Sequence, residues 1–313
     1  MAMERITIIG GGMMGQGIAQ VFAVAGHPVR ICEPDAGRRS GLIEAIRRNL
    51  GEDQAGAING AADGAIDRIT PCGELAEAVA EADAIFECVF ENLELKQSLF
   101  AAIEEICSPT TLLASNTSVI PITRVMERVK IKRRALGTHW WNPPDLIPLV
   151  EVIHTAETGE AEADRMEALL KRAGKTPARV RKDVPGFIGN RLQHALWREA
   201  IALVQNGVCD AETVDTVIKA SFGRRLAVLG PLENADLVGT DLTLAIHEQV
   251  LFDLDRTAGP LPYLRDLVAA GRLGMKTGQG FRRWTPEEAA ALRARVADHL
   301  KRLNLDEKTD PRN

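Results

Sequence analysis

The sequence is poor in several residue types and patterns, and each shortage excludes a class of protein. Only 1 residue is Tyr and 4% of residues are aromatic, so the adjacent Trp140 and Trp141 stand out. No run of about 18 uninterrupted apolar residues occurs, and we therefore expect neither a signal peptide nor a membrane span. The formal net charge is −5, which argues against nucleic acid and membrane surfaces as partners.

Cysteine is scarce as well, and its distribution bears on both compartment and metal content. The 5 cysteines are odd in number and widely scattered, without a Cys-x-x-Cys pair. This pattern argues against a disulfide framework and against a zinc site, so we expect a cytoplasmic protein without a bound metal. The cysteines are Cys32, Cys72, Cys88, Cys107 and Cys209.

The sequence does contain short β-type runs that alternate with helical stretches. This alternation predicts an α/β fold with a doubly wound, mostly parallel sheet. Beyond about Val180 a period of 3.6 residues dominates, which predicts an all-α C-terminal domain. We place the hinge at Pro185 and Gly186, and so expect domains at 1–184 and 185–313. The β-type runs are residues 5–9, 28–32, 84–89, 111–115, 134–139 and 149–153.

A glycine motif follows the first predicted strand directly and opens a helix. It reads Gly10-x-Gly12-x-x-Gly15. In this context the glycines permit a tight turn, a close approach of backbone to a pyrophosphate, and close packing of helix on strand. The motif predicts a Rossmann sheet that binds a dinucleotide at a helix N-terminus. A glycine-rich turn without a ligand is the alternative.

Glu33 ends the second predicted strand, about twenty residues after the glycine motif. Its carboxylate would accept hydrogen bonds from the ribose hydroxyls of the adenosine and would repel a 2′-phosphate, which favours NAD over NADP. Arg38 and Arg39 lie close by in sequence and favour the opposite choice, so an NADP-linked enzyme stays an alternative.

The segment GTHWWNPPDLIPLVEV, residues 137–152, combines a histidine with an acid in an apolar run. His139 ends a predicted strand, at the sheet edge where open α/β sheets bind ligands. Glu151 would be costly to bury without a partner, and pairing with His139 would create a general base. A structural role for His139, or pairing of Glu151 with Arg133 or Arg134, would explain the residues equally well.

Two further polar positions allow both a functional and a structural interpretation. Ser118 belongs to the run SNTS, residues 115–118, which comes at the C-terminal end of another predicted strand, but Ser and Thr are also common helix N-caps and Pro121 follows. Asn190 lies in a predicted helix with one apolar face, where an asparagine can simply face solvent.

Six segments along nearly the whole chain resemble the 3-hydroxyacyl-CoA dehydrogenase family. The resemblance implies a two-domain NAD-dependent enzyme that transfers a hydride reversibly between nicotinamide C4 and a secondary hydroxyl carbon. It also implies a homodimer formed by the helical domain and an active site between the domains. The segments are GGGMMGQGIAQVFA, ECVFENLELKQSLF, ASNTSVIPIT, GTHWWNPP with PLVEV, VPGFIGNRL and LGMKTGQGF.

The resemblance also assigns roles to individual residues. His139 would be the catalytic base and Glu151 its orienting partner, with Ser118 and Asn190 near the substrate hydroxyl or carbonyl. The expected contacts to NAD are the backbone of Gly10, Gly11, Gly12, Met13, Met14 and Gly15, together with Glu33, Glu91, Lys96, Asn142 and Lys276.

Some positions depart from the acyl-CoA enzymes and bear on the substrate. Trp140 and Trp141 replace two Phe, and successive residues of an extended run face opposite sides, so we expect one in the core and one beside the substrate. FGRRLAVLGPLE, residues 222–233, is closer to the branch with λ-crystallin and L-gulonate dehydrogenase, which oxidises hydroxy acids without CoA. A similar HWxNPP segment occurs in dehydrogenases of pyridine-ring compounds from vitamin B6 breakdown.

In the family, the region corresponding to residues 44–69 carries lysines that bind the phosphates of CoA. Here this CoA region contains only three cations, Arg47, Arg48 and Arg68, so it offers few groups that could bind those phosphates. Arg224 and Arg225, on a predicted loop, could bind a substrate carboxylate or form a solvated charge pair. The expected substrate is a small 3-hydroxy acid or its CoA thioester, as in 3-hydroxyacyl-CoA dehydrogenases, and a hydroxy acid of gulonate, carnitine or pyridine-ring type without CoA is the alternative. A catalytically silent NAD-binding protein is the alternative from another class.

Overall fold

The structure is a computed structural model and describes residues 3–51 and 64–309. Its described residues divide into two compact units. One contains the chain up to Arg191 and the chain from Leu300 onward, and the other is Leu192–His299. None of the helices in the described part of the chain has the length and apolarity that crossing a bilayer requires.

The first unit is built on a sheet of eight strands in the order β3-β2-β1-β4-β5-β6-β7-β8. Neighbouring strands are parallel except for β6 and β7, which are antiparallel. The strands are β1 (Ile6–Ile9), β2 (Val29–Cys32), β3 (Ile69–Cys72), β4 (Ala84–Glu87), β5 (Leu112–Ser115), β6 (Ala135–Trp140), β7 (Leu149–Ile153) and β8 (Thr176–Val180).

Helices connect these strands and then make up most of the remaining chain. In the first unit lie α1 (Met13–Val24), α2 (Ala36–Gly51), α3 (Leu75–Val79), α4 (Leu93–Glu104), α5 (Ile122–Val125) and α6 (Glu160–Arg172). The boundary between the units falls inside α7 (Gly189–Gln205). After it come α8 (Ala211–Ala220), α9 (Pro231–Val238), α10 (Thr240–Val250), α11 (Pro262–Ala269) and α12 (Pro286–Thr309).

This architecture confirms the predicted fold class, a mostly parallel doubly wound sheet followed by a helical domain. All six predicted strands are present, with ends that differ by at most two residues. Strands β3 and β8 are not among the predicted strands, and the antiparallel pairing of β6 with β7 is also not predicted.

The core of the first unit lies on both faces of the sheet, because the strands are apolar at successive positions. Ile8 and Phe86 pack into a cluster on one face, while Ile9 and Ile85 pack into the cluster on the other. Strands buried on both faces are typical of parallel sheets covered by helices. The buried sheet fixes where each strand ends, and therefore where the side chains that follow it lie.

The strand order reverses direction between β1 and β4, which pair with each other although β2 and β3 lie between them in sequence. In open α/β sheets, such a switch point leaves a crevice beyond the carboxyl ends of the strands, where ligands bind. The glycine motif follows β1, and the segment with Glu91 and Lys96 follows β4.

Candidate active site

The turn between β1 and α1 has the geometry that the glycine motif predicts. Gly10 adopts φ 106°, and a Cβ there would lie 2.8 Å from the Cys88 carbonyl oxygen. A Cβ on Gly15 would lie 1.9 Å from the Gly10 carbonyl oxygen, so only glycine fits. Gly12 is the N-cap of α1, contributes no side-chain cap and faces open space. The first amides of α1 are therefore available to an anion.

Glu33 is buried beside this turn, directly after β2. Its Oε2 accepts a hydrogen bond from the Gly11 amide at 3.1 Å, and its Oε1 accepts one from the Asp35 amide at 3.1 Å. The Arg39 guanidinium donates to the carbonyl oxygens of Glu33 and Pro34, so it is held by backbone. Free helix amides, an open glycine and an adjacent carboxylate together fit the diphosphate and ribose of a dinucleotide.

His139 and Glu151 lie directly opposite each other on the antiparallel strands β6 and β7. Residues in such register have side chains on the same face of the sheet. His139 Nδ1 donates to Glu151 Oε2 at 2.7 Å, and the two residues are 4% and 1% exposed. Arg133 pairs instead with Glu162, and Arg134 with Glu104, so the arginine alternatives for Glu151 are wrong.

The second oxygen of Glu151 is also satisfied. Its Oε1 accepts hydrogen bonds from the amides of Ile188 and Gly189, at 2.9 and 3.0 Å. Burial alone would raise the pKa of Glu151, but the hydrogen bond from His139 and the two amides outweigh it and lower the pKa. The carboxylate is therefore ionised at neutral pH and fixes the proton of His139 on Nδ1. The other ring nitrogen, Nε2, has no hydrogen-bond partner among the described residues.

Two aromatic side chains pack against the His139 ring. The Trp141 ring centroid lies 5.3 Å from that of the imidazole, and the Phe187 centroid lies 5.6 Å from it. Trp140 instead points into the core, where it is 2% exposed and meets Phe22 edge-on at 5.8 Å. The prediction that one Trp is core is confirmed for Trp140, and Trp141 is the half-buried one beside the histidine.

Ser118 and Asn190 are neighbours in space. Asn190 Nδ2 donates to the Ser118 carbonyl oxygen at 3.0 Å. Ser118 is not a helix N-cap, because Pro121 occupies that position of α5 and the Asp183 carboxylate accepts the amides of residues 122 and 123. Asn190 is the second residue of α7 and is held by this contact, so it is not simply a solvent-facing residue of a helix.

Glu91 and Lys96 belong to a hydrogen-bonded network beyond β4. Burial alone would raise the pKa of Glu91, but the Thr117 hydroxyl, Lys96 and the Ser118 amide outweigh it and lower the pKa. Lys96 is 1% exposed, and its Nζ donates to Glu87 Oε1 at 2.7 Å and lies 3.3 Å from Glu91 Oε2. The Lys96 ammonium is thus held inside the protein.

Glu87 is a site residue that sequence reasoning missed. It is 0% exposed at the end of β4, and its Oε2 accepts a hydrogen bond from the Ser115 hydroxyl at 2.6 Å. An acid in the apolar run AIFECV was a usable signal, since the same argument identified Glu151.

Two other predicted contact residues, Asn142 and Lys276, are exposed. Asn142 follows Trp141 in the first unit, and Lys276 belongs to the second unit. Arg224 ends a 3₁₀ turn over Phe222–Arg224, and Arg225 follows it in a non-helical turn, so the predicted loop contains one short turn of helix. Within the CoA region, residues 44–69, the part from 52 to 63 lies outside the described residues. The part of the chain that the structure describes holds no cluster of His, Cys, Asp or Glu suited to a metal.

Comparisons with known proteins place these features in a family. Residues 5–184 match the sequence model of the 3-hydroxyacyl-CoA dehydrogenase NAD binding domain, and residues 186–284 match that of the C-terminal domain. These two matches account for most of the chain.

Individual relatives match over nearly their full length. A 5-formyl-3-hydroxy-2-methylpyridine 4-carboxylate 5-dehydrogenase of Mesorhizobium japonicum is 34% identical, over 95% of this chain and 96% of that protein. A probable 3-hydroxybutyryl-CoA dehydrogenase of Bacillus subtilis is 36% identical, over 90% and 97%.

A solved structure agrees. It is described as an NAD⁺-dependent dismutase, the 5-dehydrogenase of the same pyridine carboxylic acid, and superposes with a TM-score of 0.88 at 31% identity, covering 97% of this chain and 98% of that one. The glycine turn, the acid after β2 and the matches to both domains agree with one another. The chain belongs to the 3-hydroxyacyl-CoA dehydrogenase family and is an NAD-binding oxidoreductase.

Proposed function

We propose that His139 is the general base of this dehydrogenase and that Glu151 orients it. The observation that carries the proposal is the 2.7 Å hydrogen bond between His139 Nδ1 and Glu151 Oε2, in a pair almost fully buried. A carboxylate bonded to one ring nitrogen fixes the tautomer and leaves the other nitrogen as the proton acceptor.

The proposed mechanism uses these groups in one order. The chemistry that bound NAD would supply is hydride acceptance at nicotinamide C4. His139 Nε2 takes the proton of the substrate hydroxyl, and the ionised Glu151 stabilises the imidazolium that forms. In the reverse direction the imidazolium returns the proton to the carbonyl oxygen. Ser118 and Asn190 are proposed to position the hydroxyl or carbonyl, and their mutual contact supports a joint role.

We propose that the cofactor lies along the carboxyl edge of β1, β2 and β4. The backbone of residues 10–15 would hold the diphosphate, and Glu33 would hold the adenosine ribose. We propose that NAD is also contacted by Glu91, Asn142 and Lys276. For Lys96 the proposed action on NAD is through Glu91, since its own ammonium is bonded to Glu87.

For the substrate we propose a small hydroxy acid without CoA, and a CoA thioester is the alternative. Two of the three cations in the CoA region already have partners in this chain, since Arg47 pairs with Glu44 and Arg68 donates to the Ala23 carbonyl oxygen. Trp141 beside His139 favours a compact or ring-bearing acid. The relative from Mesorhizobium acts, by its name, on a pyridine carboxylate, whereas the one from Bacillus is named for a CoA thioester.

The first experiment is NADH consumption by the purified protein with acetoacetyl-CoA, beside free acetoacetate, small keto acids and a pyridine carboxylate aldehyde. Activity confined to the free acids supports the proposed substrate class. A strong preference for the thioester would contradict it and leave the dyad proposal intact. NAD binding without turnover of any compound would favour the catalytically silent alternative.

The dyad predicts a specific effect of His139→Ala. Turnover should fall by a few orders of magnitude, because the proton acceptor is lost, while NAD affinity stays within about twofold. Steady-state kinetics and NADH fluorescence titration measure the two quantities. His299→Ala, an exposed histidine of α12, is the control and should keep full turnover. Collapse of NAD binding in His139→Ala would mean that the histidine is structural.

We also propose a homodimer and a cytoplasmic location. The second unit carries strongly exposed apolar side chains, including Val228 at 86% and Leu232 at 80%, which supports association of two copies. All five cysteines are free thiols, as expected in a reducing compartment. The domain boundary at 184/185 stays a proposal, supported by the two family matches that end at 184 and begin at 186.

A further inference from the structure

Phe187 has an unusual backbone conformation next to the dyad. It is the one described residue other than glycine with a positive φ, 50°, and it follows Gly186 with φ 74°. A left-handed backbone is unfavourable for a side chain with a Cβ, and such outliers persist where the surrounding structure demands them. Phe187 is also 1% exposed, so its ring is fully buried in the first unit.

This conformation has a visible consequence for Glu151. After the left-handed residue, the next two amides, those of Ile188 and Gly189, point at the same carboxylate oxygen. Successive backbone N–H groups that converge in this way form an anion-binding concavity. Here the anion is the side chain that holds the proposed base, and the Phe187 amide itself is bonded to the Val184 carbonyl oxygen at 3.0 Å.

The Phe187 side chain has a second contact with the same pair. Its ring centroid lies 5.6 Å from that of His139 with the planes 52° apart, while Trp141 packs on the imidazole at 5.3 Å. Gly189 leaves room for Trp141, because a Cβ there would lie 2.4 Å from its ring. One residue therefore contacts the base through its ring and reaches the carboxylate through the amides that follow it.

We propose that Phe187 is a positioning residue of the reaction: its left-handed backbone aims two amides at Glu151, and its ring holds the His139 imidazole in the orientation that presents Nε2. A glycine would adopt this backbone without strain, but it would leave the imidazole without one of its two aromatic neighbours. The retained strain is thus explained by the ring. This inference rests on the proposed dyad.

The test is a double-mutant cycle between Phe187 and Glu151. Phe187→Leu keeps apolar volume and removes the flat ring, and it should lower kcat on the order of 10- to 100-fold because the base is misplaced. NADH affinity should change less than about twofold. In a Glu151→Gln background, where the imidazole is no longer held by a charge, the same substitution should change kcat by less than about twofold.

A structural role alone predicts a different pattern. Phe187→Leu would then lower kcat by the same factor in both backgrounds, and this result would overturn the proposal. Phe100→Leu is the matched control, because Phe100 is 0% exposed in the same core cluster and belongs to α4. It should lower thermal stability and leave kcat nearly unchanged. Phe187→Met, which also removes the flat ring and fills the space with a flexible apolar side chain, is the second variant should Phe187→Leu not fold, and should show the same cycle.

The outcomes separate this inference from the proposed function. If His139→Ala abolishes turnover while Phe187→Leu alone changes kcat less than twofold, the dyad stands and the role of Phe187 is wrong. If His139→Ala keeps turnover, the dyad itself is wrong, and Phe187 loses its proposed role with it.

Discussion

At the scale of single residues, Glu33 has the clearest consequence for cofactor choice. Its carboxylate is 7% exposed and held by the amides of Gly11 and Asp35, so its charge stays fixed beside the glycine turn. Glu33→Gln keeps the shape and removes the charge. We expect the preference for NADH over NADPH to fall at least about tenfold, corresponding to roughly 1.4 kcal/mol of lost discrimination.

Fluorescence titration of wild type and Glu33→Gln with NADH and NADPH measures this change. Glu44→Gln, an exposed acid of α2, is the control and should keep the wild-type preference. An unchanged preference in Glu33→Gln would mean that the carboxylate only supports the turn. Tight NADPH binding by the wild type, without NADH binding, would contradict the assignment of NAD.

The sequence predicted part of this site and missed the rest for physical reasons. The pairing of His139 with Glu151 could be inferred because a buried acid needs a partner. Phe187 could not, since a left-handed backbone at a residue other than glycine depends on the tertiary contacts that enforce it. The alternation of Trp140 and Trp141 was predictable from strand geometry, but which of the two faces the core was not.

At the scale of secondary structure elements, both unpredicted strands contain a proline. Pro71 lies in β3 and Pro177 in β8, and a proline within an apolar run argues against a strand because it cannot donate to the ladder. Both strands are edge strands, where the missing donor is tolerated. The sequence pattern does not show whether a strand lies at the edge of the sheet, so it could not predict β3 and β8 as strands.

The segment between β6 and β7 is anchored by a buried lysine. Lys175 Nζ donates to the carbonyl oxygens of Pro144 and Ile147 and lies 5.6 Å from the Trp140 ring centroid. Lys175 is 8% exposed, and burial lowers its pKa from 10.5 to about 8 against the opposing effect of Asp145. This anchor fixes the segment that also carries Asn142.

The lowered pKa predicts a pH dependence of stability. Between pH 8 and pH 10.5 the unfolded chain binds the Lys175 proton and the folded chain does not, so the free energy of unfolding should rise with pH. The shift corresponds to on the order of 3 kcal/mol across this interval. Lys175→Met lacks the titration, so its stability relative to wild type should fall as pH rises from 7.5 to 10.

Urea denaturation of both proteins at several pH values measures this difference. Lys171→Met, an exposed lysine of the preceding helix α6, should keep a constant offset from wild type across the range. If the difference in free energy of unfolding between Lys175→Met and wild type were also constant, Lys175 would have its ordinary pKa in the folded protein and the prediction would be wrong.

At the scale of the whole molecule, the two units differ in how they treat apolar side chains. The first buries its apolar residues on both faces of the sheet. In the second, Leu232 and Leu237 of α9 are 80% and 72% exposed, and Leu244 of α10 and Phe252 just after it are 61% and 68% exposed. The 3.6-residue period predicted these helices, but a period cannot tell whether an apolar face meets the same chain or a second copy.

The exposed face of α9 and α10 therefore gives the dimer proposal a direct test. Light scattering after size exclusion should give a mass twice the 34.0 kDa of one chain. Two carboxylates buried without partners in an apolar interface are strongly unfavourable, so the double variant Leu232→Glu, Leu237→Glu should give a monomer at the same micromolar concentration. Ile106→Glu, an exposed apolar position of the first unit, is the matched control and should stay dimeric. A monomeric wild type would contradict the proposal, whereas a double variant that remains dimeric would exclude α9 from the interface, because two carboxylates per copy could not be accommodated there.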